Sequence, residues 1–533
     1  AAARRTGDPG ELALALLLQP VPGGWGEVAR ALDAVDASAL PAVVERALPL
    51  VARWEDEQRT TPSWWLTRLS EDLAVPQLRL CARLSQRYTE FGDARGAKVF
   101  GRPELSNVRL IDLEHSRVGP VAIRTLVRSQ HLRGIERLRL GRNQTVGATA
   151  VEELVADPRW GSLRFLDLEY TGLSDADVER LAGCAHLAGL EHLALSKNAL
   201  SDRSVEALVQ GPLPGGLRSL ELAETDVGDR GARALAGCAA LAGLRSLRLD
   251  STDVNDDGAR ALADSPHLER LERLRLNNSD LGTAGVVAVL EAFPRLKALT
   301  LDALNPGAAG AAALAARVPG LEELSTWRSG LTPADVVRVA CSPAVRELRS
   351  WSLSAIPFSR EEWEAFCASP TLGSLRTLKL YDCAATAAGL VGARSLRLQE
   401  LDLWQVDVPD DLSSLFTAPA CAGLRKLRLI GQDLSRGARD AFAASQLTEL
   451  QELELTSTRL ERGAAELLVT SPRLTKLERL GLTGCPTVTD AILDSLAASE
   501  HLPALEVIFT AQTPCTDAGR ERLRAARPGL SVY

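Results

Sequence analysis

Methionine is absent from these 533 residues, and only six histidines and four tyrosines occur. The composition is instead biased strongly towards Ala, Arg, Gly and Leu. The nine cysteines form no CxxC pair and no closely spaced set with a nearby histidine, which argues against a zinc site. Their odd number and wide scatter suit reduced, buried thiols of a cytosol better than a disulfide framework. An excess of positive charge is also missing: the net charge is −8 and the pI about 5.6. Nucleic-acid binders usually show a basic face, because neutralising phosphates supplies most of their affinity, so no nucleic-acid partner is expected. No apolar run approaches transmembrane length. The short stretch Leu12–Leu18 follows acidic residues and lacks a signal-peptide cleavage site. A soluble, cytoplasmic protein with no membrane partner is the expectation.

The usual catalytic signatures are lacking as well. There is no GxxxxGK[ST] phosphate loop, no HExxH and no GxSxG. The histidines (His115, His131, His186, His192, His267 and His501) never pair at metal-ligand spacing. Four of them, His131, His186, His267 and His501, share one helix-to-strand segment, as in CAHLAGL and SPHLERL, which is a structural habit. Cys184 and Cys238 are equivalent in LAGCA and read as packed helix-end residues. Neither an enzyme nor a cofactor is expected.

What is present is a repeat. From Val108 onward Leu-x-x-Leu-x-Leu recurs, beginning at Val108, Ile135, Leu163, Leu190, Leu217, Leu244, Leu271, Leu296, Leu321, Val345, Leu375, Leu398, Leu424, Leu450, Leu477 and Leu505. These sixteen units step mostly by 25 to 28 residues, with steps of 24, 30 and 23 between Leu321 and Leu398. In Leu217-Arg-Ser-Leu220-Glu-Leu222 the period-2 alternation puts Leu220 and Leu222 on one face of a short strand. A small polar residue follows (Ser116, Asn143, Thr171, Asn198, Thr225, Thr252, Ser279), placed to satisfy backbone groups that lose their ladder partners. Next come an apolar plug such as Leu173 or Val227, a capping pair such as Ser174-Asp175 or Ser201-Asp202, and an Ala/Leu-rich helix. Strand, turn and helix in each unit predict a parallel sheet backed by helices. Helices are wider than the strand spacing, so the stack should curve with its sheet inside.

Units such as LRSLELAETDVGDRGARALAGCAALAG and LRSLRLDSTDVNDDGARALADSPHLER resemble the ribonuclease-inhibitor-like class of leucine-rich repeats, from about Val108 to the C-terminus. The resemblance implies an α/β leucine-rich-repeat solenoid, a horseshoe with the parallel sheet concave and the helices convex. It also implies protein–protein recognition on the concave face. Residues 1–100 fall outside the repeat, and residues 101–533 make the solenoid of about sixteen units. In the first region the amphipathic stretches Trp25–Val35, Pro41–Trp54 and Ser63–Leu73, with Trp25, Trp54, Trp64 and Trp65, read as a helical cap over the first repeat or as a docking module. At the far end Leu530-Ser-Val532-Tyr reads as a closing strand.

Positions three, five and seven of each unit should point out of the sheet. Most are small or of mixed charge, which cross-strand pairing explains without a ligand. Four consecutive units place Trp327, Trp351, Tyr381 and Trp404 at position seven, a ladder of about 15 Å. Around it stand Glu323, Glu347, Arg349, Lys379, Glu400 and Asp402, with Lys426 and Arg428 from the following unit. Exposed aromatics ringed by charge are the make-up of an interface hot spot. The competing reading is packing: with Trp363 and Phe366, these rings would plug a defect in degenerate repeats. The function expected is a non-enzymatic scaffold that recognises a partner protein on this face. The alternative is an adaptor whose N-terminal helices recruit an enzyme while the repeats select its target.

Overall fold

The structure, a computed structural model, describes residues 8–533 apart from 22, 318, 385–386, 407–411, 435–438, 440–441, 444 and 462. The chain forms two compact units, one of Ala1–Val254 with Asp264–Leu271 and one of Asn255–Ala263 with Glu272–Tyr533.

In the first unit the alternating leucines make short parallel strands: β1 (Arg83–Ser85), β2 (Leu110–Asp112), β3 (Arg137–Arg139), β4 (Phe165–Asp167), β5 (His192–Ala194), β6 (Ser219–Glu221) and β7 (Ser246–Arg248). Each pairs with the next, and equivalent residues stand opposite one another, as in Leu193–Leu220–Leu247. Leu220 and Leu222 are both buried, as the alternation predicts. A strand stops where its chain turns left-handed. Arg142, Tyr170, Lys197, Glu224 and Ser251 all have φ between 53° and 61°.

The small polar residue that follows takes up the loose backbone groups. Asn198 donates through Nδ2 to the carbonyls of Leu168, Leu195 and Ser196. Its Oδ1 accepts from the N–H groups of Thr171, Gly172 and Leu173 in the preceding turn. Thr171, Thr225 and Thr252 donate to the carbonyl three residues back. These bonds perform the task that the position was expected to perform.

Helix starts are tied across repeats. Ser174 caps its own helix, Asp175–Ala182, in a capping box with Asp177. Asp175 instead reaches the next repeat, accepting from the Ser201 N–H at 2.9 Å and from the hydroxyls of Ser201 and Ser204. Asp202 accepts from the N–H groups of Gly228 (2.7 Å) and Gly231 (2.8 Å), and Asp93 from those of Gly119 and Ala122. Each carboxylate thus sits at the positive end of the following helix. Gly231 allows the approach, because a Cβ there would lie 2.7 Å from Asp202 Oδ1.

The sheet begins before residue 100. Cys81-x-x-Leu84-x-Gln86 carries β1, whose Leu84 pairs with Ile111. Cys81 and Gln86 stand where leucines stand elsewhere, which hides this unit from the leucine pattern. Ahead of it lie the helices Pro9–Leu17, Trp25–Asp33, Leu40–Ala47 and Ser63–Ser70. Their tryptophans act as internal ties. Trp25 and Trp54 meet edge-on at 5.6 Å, and Trp54 donates to the Leu17 carbonyl. Trp64 and Trp65 both donate to Asp33.

In the second unit the strands are β8 (Arg273–Arg275), β9 (Ala298–Thr300), β10 (Glu323–Thr326), β11 (Ser350–Ser354), β12 (Thr377–Tyr381), β13 (Glu400–Trp404), β14 (Lys426–Ile430), β15 (Asp433–Leu434), β16 (Glu452–Glu454), β17 (Arg459–Leu460), β18 (Arg479–Gly481), β19 (Val507–Phe509) and β20 (Ser531–Val532). All run parallel in chain order, except that β15 and β17 pair separately. Within Leu530-Ser-Val532-Tyr, Ser531–Val532 forms a strand paired with β19, as the sequence pattern led one to expect. The inter-repeat tie recurs: Asp256 accepts from Gly282 and Gly285, and Asp490 from Thr516. Arg317 is buried without a carboxylate partner among the described residues, and its guanidinium caps the preceding helix at the carbonyls of Leu290 and Phe293. Both units are α/β solenoids of strand, turn and helix, with helices on one face of the parallel sheet.

Candidate functional site

The other sheet face, which no helix among the described residues covers, carries the outward positions three, five and seven. In the second unit the register corrects one element of the expected ladder. Trp351 lies opposite Leu324 and Leu378, both core leucines, and is itself wholly buried. Two phasings fit this stretch, Val345-x-x-Leu348-x-Ser350 and Leu348-x-x-Trp351-x-Leu353. The second buries the larger apolar side chain, and it restores steps of 27 residues on both sides, Leu321 to Leu348 and Leu348 to Leu375. The apparent steps of 24 and 30 were a slip of three residues, while the step of 23 from Leu375 to Leu398 stands. Trp351 packs on Phe366 at 5.4 Å, and Phe366 stacks on Trp363 at 5.3 Å, so the packing reading holds for this residue. Its indole Nε1 finds no acceptor among the described residues.

The slip also relocates Glu347 and Arg349. Both are exposed in the turn ahead of β11, whose outward residues are Ser350, Ser352 and Ser354. The remaining aromatics do lie on the open face. Trp327 is 38% exposed and Trp404 45%, with Tyr381 half-buried between their strands. Tyr381 and Trp404 pair directly, with centroids 6.0 Å apart and planes at 40°. Ser354 takes the ladder position between Trp327 and Tyr381, so Trp327 stands apart from the pair. It is covered instead by Arg328, whose guanidinium carbon lies 4.5 Å from the ring centroid. Ile430 continues the row beyond Trp404 and was not singled out from the sequence, although its position seven could have identified it.

The charges of this face are largely paired. Lys379 stands 3.9 Å from Glu400, Arg428 3.5 Å from Asp402 and Lys426 3.0 Å from Glu452. Glu323 is exposed on β10. Asp402 is buried beneath its neighbours, and one of its carboxylate oxygens has no donor among the described residues. Burial raises its pKa against the opposing pull of Arg428 and Lys379. Burial likewise raises that of Tyr381, and the Asp402 charge adds to the effect.

The first unit carries a second aromatic group that the sequence reading passed over. Phe165 and His192, at position three of adjacent repeats, stack with centroids 4.1 Å apart and planes at 5°. Arg137 and Arg139 lie over Phe165, at 5.0 and 4.9 Å from its centroid. Burial, and then the charges of Arg139 and Arg137, push the His192 pKa down to about 4. Burial raises Asp167 to about 6. Aligning the third residues of the repeats beginning at Ile135, Leu163 and Leu190 would have put Arg137, Phe165 and His192 side by side.

All nine cysteines are free thiols, and eight of them are buried; burial pushes Cys383 and Cys485 up to about 11. His186 bonds to the Leu154 carbonyl at a helix end, as a structural histidine would. Among the described residues, no group of three His, Cys, Asp or Glu side chains is placed to hold a metal ion. No helix among them is long and apolar enough to cross a membrane.

Residues 217–236 and 244–263 match the family described as Leucine Rich repeat, and both segments have the strand, left-handed turn and helix described above. These are leucine-rich repeats. Leucine-rich-repeat proteins commonly serve as protein-binding scaffolds. No curated protein sequence matches the chain. Similar solved structures include an internalin (inlF) from Listeria monocytogenes, with 17% identity, TM-score 0.42 and coverage of 72% of this chain and 93% of that one. A leucine-rich-repeat protein of Leptospira interrogans has 16% identity and TM-score 0.38, covering 89% and 100%. A chain of the yeast Rad7 and Elc1 complex has 16% identity and TM-score 0.34, covering 100% and 94%. None of these likenesses is close enough to bear on function.

Proposed function

We infer that this leucine-rich-repeat protein is a non-enzymatic scaffold that binds a partner protein on the open sheet face of its second unit. One observation carries the reading: Trp404, paired with Tyr381, leaves nearly half of an indole in water on the open sheet face. Large aromatics are the residue types that dominate interface energetics when a partner removes that water. Trp327, Ile430 and the rim charges Glu323, Lys379, Glu400, Lys426 and Arg428 complete the surface, while Trp351 is left to the core.

The helices ahead of β1 fit the cap reading within this proposal. Their tryptophan N–H groups are used internally, and the Thr61 N–H donates at 2.7 Å to the Arg83 carbonyl of β1. Free, buried thiols suit a reducing compartment, so we place the protein in the cytoplasm. The repeats are taken as ribonuclease-inhibitor-like on the unit pattern alone. Trp404→Ala tests the binding reading: partner affinity should fall by about 2 kcal/mol or more, with the thermal midpoint almost unchanged. A lower midpoint with unchanged affinity per folded molecule would make Trp404 a packing residue.

A further inference from the structure

We propose that the rim where β11, β12, β13 and β14 begin is a docking surface for a short acidic segment of another protein. It lies at the opposite end of these strands from Tyr381 and Trp404 and rests on no part of the reading given for Trp404. The second residue of each of these repeats stands at the strand start, bonded through its N–H to the second residue of the repeat before. Arg349 bonds in this way to Glu322 (2.7 Å), Arg376 to Arg349 (2.8 Å), Gln399 to Arg376 (2.7 Å) and Arg425 to Gln399 (2.8 Å). These residues therefore form a row one strand spacing apart. Arg218 and Lys297 hold the same position in other repeats, and each is paired with the repeat next to it, Arg218 with Glu191 at 3.3 Å and Lys297 with Glu322 at 3.7 Å.

From β11 to β14 no carboxylate holds that position. The turns leading into these strands, residues 342–349, 369–376, 393–399 and 418–425, hold six arginines and one carboxylate, Glu347, in a chain whose net charge is −8. The six are Arg346, Arg349, Arg376, Arg394, Arg397 and Arg425; all but Arg376 are exposed, and none is in a salt bridge among the described residues. Arg376 anchors one guanidinium nitrogen on the carbonyls of Gly373 and Leu375, and Arg397 one on those of Arg394 and Leu396. Arg376 also reaches the Arg397 carbonyl at 3.4 Å, which ties two of the turns together. The other four make no side-chain bond among the described residues. Just inside the strands the charges are balanced, with Glu400 beside Lys379 and Glu452 beside Lys426, so the surplus belongs to the rim. Like charges on adjacent strands repel, and an anion lying between them relieves that repulsion.

The extent of the patch selects the kind of anion. From β11 to β14 there are three strand gaps, about 15 Å, which is the length of about five extended residues. At the same repeat position Glu322 precedes the patch, and Gln451, Glu478 and Glu506 follow it. A short acidic run therefore fits within the patch, whereas a longer phosphate backbone runs off it onto neutral and acidic positions. The four turns contain no Phe, Trp, Tyr or His on which a nucleic-acid base could stack. A carboxylate side chain can accept two parallel N–H bonds from a single guanidinium, the pairing that the planar fork of arginine suits best.

The test uses the full chain and three fluorescent probes in an anisotropy titration: a peptide with a run of glutamates flanked by Gly and Ser, its Gln-for-Glu counterpart, and an oligothymidylate of equal charge. The acidic peptide should bind best, and less tightly as salt rises. Arg349→Gln and Arg425→Gln should each weaken it roughly fivefold, and Glu347→Gln, which removes the one carboxylate of the rim, should tighten it about twofold. Arg349 and Arg425 are exposed and make no side-chain bond among the described residues, so these variants keep the fold. Arg218→Gln, at the same position but paired with Glu191, and Trp404→Ala should leave binding unchanged. The proposal is overturned if the acidic peptide fails to bind, if the Gln peptide binds as well, or if neither rim variant weakens binding. An equal loss from Arg218→Gln would overturn it as an effect of overall charge, and oligothymidylate binding as tight through the same arginines would make the rim a nucleic-acid surface instead.

Discussion

Replacing Trp351 with alanine separates a core residue from a surface one within a single stretch of chain. An indole buries about 200 Å², which at roughly 25 cal/mol per Å² corresponds to about 5 kcal/mol of transfer free energy. Large-to-small substitutions at buried tryptophans cost about 3–5 kcal/mol. The Trp351 Nε1 hydrogen has no acceptor among the described residues, and an unmet buried donor already lowers the stability of the parent by about 1–3 kcal/mol. The expected loss for Trp351→Ala therefore sits at the lower end, about 3 kcal/mol. For a unit of about 270 residues that is a fall of about 5 °C in the thermal midpoint. Trp351→Phe keeps a ring against Phe366 and removes the orphaned N–H, so the two effects should cancel to within about 1 kcal/mol. Thermal and guanidinium midpoints of the full chain, read by circular dichroism for both variants and for Trp404→Ala, supply the comparison. A Trp351→Ala midpoint equal to that of the parent would refute the reasoning and return the repeat to a start at Val345.

The inter-repeat tie gives a second expectation. Asp202→Ala should lower stability by about 1–2 kcal/mol, as lost helix caps do, and Gly231→Ala should do the same by pushing Asp202 away while leaving its carboxylate intact. Equal midpoints for parent and variants in urea would show the tie to be energetically idle. A third expectation concerns pH. His192 has a lower pKa folded than unfolded, so the unfolded chain takes up the proton first and stability falls as pH drops from about 6.5 towards 4. His192→Gln should flatten that fall. Asp167 works in the opposite sense: its pKa is raised to about 6, so stability is lost as pH rises from about 4 to 6, and Asp167→Asn should remove that loss. Urea midpoints across this window, measured for each variant, would show either slope unchanged if the assignment is wrong.

Much of this protein was legible in the order of its residues, because a repeat states the same physical problem many times. A strand of three residues needs two inward leucines, and the chain that leaves it needs a side chain to replace its lost ladder bonds. Asn198 and Thr225 are therefore readable as such without coordinates. The inter-repeat role of Asp202 was not readable. Its partners Gly228 and Gly231 lie 26 and 29 residues away, and only stacking of consecutive helices brings them together. The first repeat was hidden because Cys81 and Gln86 can occupy leucine positions once neighbouring repeats close over them. Trp351 was misplaced for a related reason. Two phasings three residues apart satisfy the pattern almost equally, and only packing against Phe366 and Trp363 chooses between them. The sequence by itself determined the strand–turn–helix unit, since that depends on side chains close along the chain. The tertiary structure decided which aromatics face water, because that depends on the register between strands about 27 residues apart, and a slip there exchanges surface for core.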